Sequence, residues 1–151
     1  MYLPGNIIYF TPFYFYNGSL PKPKYFIVLK GKDGNDNVLA SLATKLDCVP
    51  GTMCKLHGCI DDSEINFNCY FFEKDRIITE SGWGFPKETY IYGYRLALFS
   101  IPDLDSKYKI ENVDFQIKGK LLNDEYKAII SCLRDSPSVK RKFRRLLGSS
   151  I

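Results

Sequence analysis

Two lysines stand at the entrance of an apolar stretch near the N-terminus. Lys22 and Lys24 each follow a proline, and residues 25–30 are almost all strand formers. Proline fixes φ and keeps the preceding residue extended, so the approach to this stretch is stiff. An ammonium group held there can bind a phosphate as a point charge. The pattern is therefore compatible with a phosphate site and, equally, with a solvated strand entrance.

Aromatic side chains offer a second kind of chemistry. Residues 13–16 read FYFY, and four consecutive rings cannot all face a core, so some must lie at the surface or in an interface. Unpaired RNA bases stack on aromatic rings at roughly 1–3 kcal/mol per base. Tyr14, Tyr16 and Trp83, the only tryptophan, are therefore candidate base-binding residues. Core packing and contact with a protein partner are the alternatives.

The only histidine and four of the five cysteines fall within 22 residues. They form the pattern C-x5-C-x2-H-x-C-x9-C, which comprises Cys48, Cys54, His57, Cys59 and Cys69. Zinc ligands usually come in pairs two to four residues apart, and this pattern departs from that spacing. An odd number of cysteines fits reduced thiols better than a disulfide framework. We therefore expect reduced structural cysteines, with Cys69 buried in a strand, rather than a metal site, and we expect no cofactor.

Positive charge is concentrated near the C-terminus. Residues 134–147 carry six cations and one carboxylate, that of Asp135. The net charge of this segment, 6 − 1 = +5, exceeds the net charge of +4 of the whole chain. Such a segment attracts polyanions without specificity. Arg141 and Arg144 are therefore candidate contacts to an RNA backbone, and the alternative is a solvated helix face.

Length and composition indicate one compact domain. The chain has 151 residues, of which 45% are hydrophobic and 25% charged, as is ordinary for globular proteins. No apolar run reaches the roughly 18 residues of a membrane-spanning helix. The N-terminus lacks the pattern of a secretory signal. We expect a cytoplasmic protein without a membrane partner.

Short strands separated by turns dominate the first 118 residues. Strands are predicted at residues 6–10, 25–30, 37–44, 66–72, 76–79, 90–98 and 108–118. A long connection is predicted at residues 11–23 and a turn at residues 31–36, whereas residues 45–57 show no clear period. Several short strands at this spacing favour a small barrel or sandwich.

The last 30 residues change to a helical pattern. Tyr126, Ile129, Ile130 and Leu133 have i, i+3, i+4, i+7 spacing after a possible cap at Asn123. Ser136-Pro137 ends this helix and opens a second, whose apolar stripe consists of Val139, Phe143, Leu146 and Leu147. We expect residues 1–134 to form one domain with its C-terminal helix. Residues 135–151 would be a basic amphipathic helix packed on it or extending from it.

In this order the elements resemble the PemK/MazF family of toxin endoribonucleases. The family opens on Gly-Asp before an apolar strand, and residues 5–10 are similar, with Asn6 in place of Asp. Its Arg-Pro before the second strand corresponds to Lys24-Tyr25. The strand at residues 38–44 ends on a threonine, as the family's next strand does. Residues 117–121 and the helix that follows resemble the family's last strand, glycine-bearing turn and final helix.

The resemblance covers residues 5–44 and about 113–134, and it implies both a fold and a function. The implied fold is mainly β, a small SH3-like barrel of antiparallel strands with C-terminal α-helices. The implied function is that of a toxin-like endoribonuclease, which cleaves single-stranded RNA without metal and acts with an antitoxin-like protein. The family forms dimers, so a homodimer is expected. Its loop arginine and strand-end threonine, which carry RNA cleavage, correspond to Lys24 and Thr44.

Cleavage of this kind proceeds by attack of a ribose 2′-hydroxyl on the adjacent phosphate. It needs a base, stabilisation of the phosphorane charge and an acid for the departing 5′-oxygen. Lys24 can act as an acid or base only if burial or a neighbouring cation lowers its pKa from about 10.4. Lys22, two residues away, is such a neighbour. His57 is a candidate for a missing acid or base, although a lone histidine beside Gly58 is also typical of a turn.

Lysine in place of arginine leaves two other functions open. A catalytically inactive relative would keep the barrel and bind nucleic acid or a partner peptide. An unrelated small β-barrel interaction module would share only the architecture. Threonine also favours strands, so the alternative interpretation of Thr44 is that it is only a strand residue with no role in catalysis.

Overall fold

The computed structural model describes residues 1–31 and 37–148, which form eight strands and three α-helices in a mixed α/β arrangement. The strands are β1 (Asn6–Phe13), β2 (Lys22–Gly31), β3 (Asn37–Ala43), β4 (Gly58–Asp62), β5 (Phe67–Phe72), β6 (Thr89–Tyr92), β7 (Ala97–Ser100) and β8 (Phe115–Lys120). The helices are α1 (Ile101–Lys107), α2 (Asn123–Arg134) and α3 (Arg141–Gly148).

The strands form two antiparallel sheets. One has the order β7-β3-β2-β1-β8 and the other the order β4-β5-β6. Isolated bridges also join Thr44, which follows β3, to Tyr90 of β6, and Thr79 of the β5–β6 connection to Leu121, which follows β8. Among the described strands, hydrogen bonds do not close the sheets into a barrel.

Strand β2 lies at the centre of the larger sheet and has a core on each face. Ile27 and Leu29 face a core shared with the smaller sheet and with α2 and α3. Phe26 and Val28 face a second core, which α1 covers. Burial on both faces explains why this stretch reads as a continuous apolar run rather than as an alternating one.

Several predicted strands have different bounds. The first continues to Phe13, and the second begins at Lys22, so the connection predicted at residues 11–23 is shorter. A 3₁₀ turn at Gly93–Arg95 splits the strand predicted at residues 90–98. A Cβ on Gly93 would lie 2.4 Å from Asn68 Oδ1 and 2.9 Å from Val139 Cγ2, so a larger residue would require these buried side chains to shift.

Other predictions of strands are wrong or incomplete. Residues 76–79 form a loop apart from the bridge at Thr79, because Arg76 N–H donates to Glu73 O and Ile78 N–H donates to Trp83 O instead of to a neighbouring strand. The last strand begins at Phe115 instead of residue 108. Two further elements have no counterpart among the predictions: strand β4, and helix α1, where Ser100 accepts a hydrogen bond from the Asp103 N–H. Of the turn predicted at residues 31–36, residues 32–36 lie outside the described residues.

The C-terminal helices pack onto the main core. Helix α2 begins at Asn123, but Leu122 is its N-cap residue and makes no side-chain cap bond. The second helix begins at Arg141 rather than at Pro137. Its apolar stripe is buried, because Phe143 and Leu147 belong to the same core as β2. The basic segment is thus packed on the domain, and residues 149–151 of the predicted 135–151 segment lie outside the described residues.

The expectation of reduced cysteines is wrong for one pair. Cys59 of β4 and Cys132 of α2 form a disulfide, with their Cα atoms 5.5 Å apart. Docking of α2 on the smaller sheet joins residues 73 positions apart, a proximity that no local spacing encodes. Cys69 is a buried free thiol as predicted, and burial raises its pKa to about 12. A disulfide is typical of oxidising compartments, so cysteine usage does not support the cytoplasmic expectation.

None of the helices within residues 1–31 and 37–148 has the length and apolar character needed to cross a bilayer.

We predict that removal of the disulfide destabilises the domain. A cross-link over this separation restricts the unfolded chain, so Cys59→Ser should lower the free energy of unfolding by about 2–4 kcal/mol. Denaturant unfolding of the oxidised protein measures the change. Cys54→Ser, at an exposed free cysteine, is the matched control and should have little effect. Equal stability of the Cys59→Ser and wild-type proteins would contradict the prediction.

Candidate functional site

Lys24 and Thr44 line the same cavity. In the β2–β3 register Tyr25 faces Ala43, so Lys24 and Thr44 lie one residue beyond that pair. The cavity has a volume of about 380 Å³. Its described lining consists of Tyr9, Lys22, Pro23, Lys24, Tyr25, Ala43, Thr44, Lys45, Leu46 and Thr89. The two residues that the resemblance singled out are therefore brought together by strand pairing.

The described lining carries three ammonium groups and no carboxylate. Burial, followed by the charges of Lys22, Arg95 and Lys45, holds the pKa of Lys24 below its usual value of 10.5. No described carboxylate forms an ion pair with Lys24. A partly desolvated cation among other cations is unfavourable, and a nearby anion would reduce this cost.

Thr44 connects the end of β3 to the smaller sheet. Its N–H donates to Tyr90 O at 2.9 Å, and its carbonyl accepts from Tyr90 N–H at 2.8 Å. Its Oγ1 accepts from the Leu46 N–H at 3.1 Å. The hydroxyl hydrogen takes no part in that bond and can be donated into the cavity.

Three residues of this region were not among the predicted site residues. Tyr9 lines the cavity and faces Tyr25 in the β1–β2 register. The alternation of side chains along β1, which puts Ile7 and Tyr9 on one face, could have indicated this position from the sequence. Thr89 also lines the cavity, but its hydroxyl donates to Lys87 O at 2.7 Å. Arg95 acts on Lys24 from a 3₁₀ turn distant in sequence, and no local pattern could have indicated it.

Tyr14 and Tyr16 lie beside α1 and do not line the Lys24 cavity. The Tyr14 N–H donates to the Tyr108 hydroxyl at 2.8 Å. The Tyr16 hydroxyl donates to Asp103 Oδ2 at 3.1 Å, and burial together with this bond raises the pKa of Tyr16 to about 12. Lys107 Nζ lies 4.3 Å from the Tyr16 ring centroid. Both tyrosines therefore have partners within the protein.

The other candidate residues fall in two places. Trp83 packs against Tyr25, with ring centroids 5.5 Å apart, and so adjoins the Lys24 cavity. Arg141 and Arg144 line a different, open cavity of about 500 Å³ together with Arg134 and Arg145. The Arg144 Nε–H donates to Arg134 O at 3.0 Å. The structure thus brings together Lys22, Lys24, Thr44 and Trp83, and leaves the arginines apart from them.

His57 is a buried structural residue. Its side chain is 5% exposed, and its Nε2 lies 2.5 Å from Glu125 Oε1. Its Nδ1 accepts from the Glu73 N–H at 3.0 Å, so the hydrogen is on Nε2 and is donated to Glu125. Tyr70 also donates to Glu125 Oε1 at 3.0 Å. His57 does not line the Lys24 cavity and cannot supply its acid or base.

The Cys/His pattern does not converge on one point. Cys59 is in the disulfide and His57 bonds to Glu125. Within the described ranges, no group of three or more His, Cys, Asp or Glu side chains is arranged to hold a metal ion.

We predict that Lys24→Met stabilises the folded protein at pH 7. Because the folded pKa of Lys24 is lowered, the unfolded chain binds more protons between that pKa and 10.5, so wild-type stability rises with pH across this window. The gain from Lys24→Met should therefore shrink as pH approaches 10.5. Thermal unfolding from pH 7 to 10.5 measures it, with Lys109→Met at an exposed lysine as control. A gain that stays constant with pH would contradict the prediction.

We predict that His57→Phe destabilises the protein by about 1.5–3 kcal/mol, because the Glu125 carboxylate loses a buried donor. Burial raises the pKa of Glu125, but hydrogen bonds from His57 and Tyr70 outweigh burial and hold it below 4.5. This contribution is present above pH 4.5 and is lost as pH falls through the folded pKa. Denaturant unfolding at pH 7 and at pH 3.5 should show a smaller difference at the lower pH. An undiminished difference would argue against the carboxylate as the cause.

Comparison with models of protein families, with curated proteins and with solved structures gives no match to this chain.

Proposed function

We propose that the Lys24 cavity binds a phosphate of single-stranded RNA and that the protein is a toxin-like endoribonuclease of the PemK/MazF kind. One observation carries the proposal. Lys24 and Thr44 meet in a cavity whose described lining holds three ammonium groups and no carboxylate. A phosphodiester supplies the negative charge that this lining lacks.

The proposed reaction is attack of the ribose 2′-oxygen on the adjacent phosphorus, with the proton of the 2′-hydroxyl released to a water molecule. The bond to the 5′-oxygen breaks, and a 2′,3′-cyclic phosphate and a 5′-hydroxyl result. Lys24 stabilises the phosphorane oxygens and delivers a proton to the departing 5′-oxygen, which its lowered pKa favours. The Thr44 hydroxyl donates a hydrogen bond to a phosphate oxygen. Lys22 and Lys45 neutralise the neighbouring charge.

Further properties accompany this proposal. The fold would be a small SH3-like barrel. Two features support this: the antiparallel order of β1, β2 and β3, and the position of α2 after β8. A homodimer and an antitoxin-like partner follow from the same resemblance, whereas a cytoplasmic location is the expectation from the sequence composition. Tyr14 and Tyr16, which are partly exposed, would contact that partner rather than RNA bases.

The arginine cavity at α3 would serve longer RNA. Arg141 and Arg144 lie outside the Lys24 cavity, so they would bind backbone phosphates away from the cleaved bond. Such contacts strengthen binding at low salt without selecting a sequence.

Binding without cleavage is the second candidate function. It is favoured by the position of His57, which bonds to Glu125 and leaves the described lining of the cavity without a histidine. Lysine also lacks the planar fork with which arginine grips a phosphate. An inactive relative with the same cavity would hold RNA or a partner peptide.

Incubation of the protein with single-stranded RNA in excess chelator tests the proposal. Cleavage that yields a 2′,3′-cyclic phosphate is expected. Lys24→Ala should lower the rate at least about 100-fold, because it removes the charge on the phosphorane. Thr44→Val should lower it about 5- to 10-fold, as loss of one hydrogen bond requires. Electrophoresis of end-labelled RNA measures the rates.

Lys109→Ala removes an exposed lysine and is the charge-matched control, which should cleave as the wild type does. Retention of RNA without cleavage, lost in Lys24→Ala, would favour the binding function instead. Absence of any interaction with RNA would overturn both functions.

A further inference from the structure

Three aromatic rings form a continuous row from the Lys24 cavity outward. Tyr9 and Tyr25 face each other across the β1–β2 pair, with ring centroids 4.5 Å apart. Tyr25 in turn contacts Trp83, with centroids 5.5 Å apart. All three side chains are partly exposed, and Tyr9 and Tyr25 line the cavity itself. The ammonium groups therefore share one cavity with two rings of the row, and Trp83 continues the row beyond it.

The row has a rigid support. Phe85 is fully buried beneath it and contacts both Tyr25 and Trp83, with centroids 5.0 Å from each ring. The Trp83 N–H donates to Thr79 Oγ1 at 2.8 Å, which fixes the loop. A Cβ on Gly84 would lie 2.0 Å from the Arg76 carbonyl oxygen, so only glycine permits this approach. The rings are thus held in place before any ligand binds.

A cation lies over the first ring. Lys118 Nζ is 5.4 Å from the Tyr9 ring centroid and donates to Gln116 Oε1 at 2.7 Å. No described carboxylate forms an ion pair with Lys118. An exposed contact between an ammonium and a ring raises the equilibrium constant for its own formation only about 2- to 5-fold. A stacked base gains roughly 5- to 150-fold, so a base can displace Lys118 toward a phosphate.

We infer that Tyr9, with Tyr25 and Trp83 behind it, is a base-stacking subsite for the nucleotide whose phosphate occupies the Lys24 cavity. The inference rests on the proposed function, since the cavity must first bind a phosphate. Charge and aromatic surface together indicate the class of ligand, because the lysines of the cavity and Lys118 favour phosphates and the rings favour bases. Stacking accepts any base, so the subsite adds affinity without strong sequence preference.

Two probes separate the base from the phosphate. One is a 2′-O-methyl uridine trinucleotide, which cannot be cleaved through its 2′-oxygen, and the other is its abasic counterpart. Trp83 is the only tryptophan, so its fluorescence reports binding at the row of rings. The wild type should bind the uridine probe about 10-fold tighter than the abasic probe, within the roughly 5- to 150-fold range for stacking.

Variants then locate the effect. Tyr9→Leu should abolish this ratio and leave the affinity for the abasic probe unchanged, whereas Tyr9→Phe should keep the ratio. Tyr16→Ala, at a partly exposed tyrosine beside α1, is the matched control and should change neither. Lys24→Ala should weaken both probes. Circular dichroism checks that each variant is folded, and the wild-type ratio tests the inference without any variant.

The outcomes distinguish the inference from the proposed function. Equal affinity of the wild type for the two probes, with both lost in Lys24→Ala, would overturn the base subsite and leave the phosphate site intact. Binding of neither probe would overturn both. Tighter binding of an oligoglutamate peptide than of the uridine probe would also overturn the inference, because it would assign the cavity to acidic protein partners.

Discussion

The antiparallel register of β2 with β1 on one side and β3 on the other is the constraint on which the candidate site depends. Tyr25 pairs with Tyr9 in one direction and with Ala43 in the other. This double pairing aligns Lys24 with Thr44 and the Tyr9 ring with the Tyr25 ring. A shift of one residue would turn every side chain of β2 to the opposite face. The two cores that bury Phe26 to Leu29 prevent such a shift.

The same constraint accounts for the unusual electrostatics of the cavity. Burial of residues 26–29 anchors the strand, so Lys24 at its entrance is drawn into a partly desolvated position. Lys22, Lys45 and Arg95 then add like charge, and no described carboxylate compensates it. A protein selected only for stability would place an acid or an apolar side chain there. The proposed anion site is consistent with this arrangement, because an anion would relieve the repulsion.

The second half of the chain holds this sheet in place by several different means. The smaller sheet meets β3 at the Thr44–Tyr90 bridge, and α2 is attached to the smaller sheet by the Cys59–Cys132 disulfide. The His57–Glu125 contact adds a buried polar link between α2 and the residues before β4. Helix α3 contributes Phe143 to the main core while its arginines remain at an open cavity. Structural and charged roles thus share one short helix.

The local features of the fold could be predicted from the sequence, because they depend on neighbouring residues. Strands around residues 6–10, 25–30, 37–44 and 66–72, and the helix that begins at Asn123, follow from apolar periodicity and turn residues. Buried Cys69 followed from its strand context. Lys24 and Thr44 were singled out by a resemblance in order and spacing, and this is as far as linear information reached. A strand was predicted at residues 76–79, where backbone hydrogen bonds within the loop outweigh strand propensity. Helix α1 was not predicted, because its start depends on the N-cap at Ser100.

The contacts between residues distant in sequence could not be predicted and are seen only in the folded chain. The Cys59–Cys132 disulfide, the His57–Glu125 pair and the approach of Arg95 to Lys24 each join segments tens of residues apart. Such proximities arise from the docking of sheets and helices through non-directional burial of apolar surface. That burial depends on the sum of many side chains, so no short motif records it. For the same reason Tyr9 became part of the cavity only when β1 paired with β2.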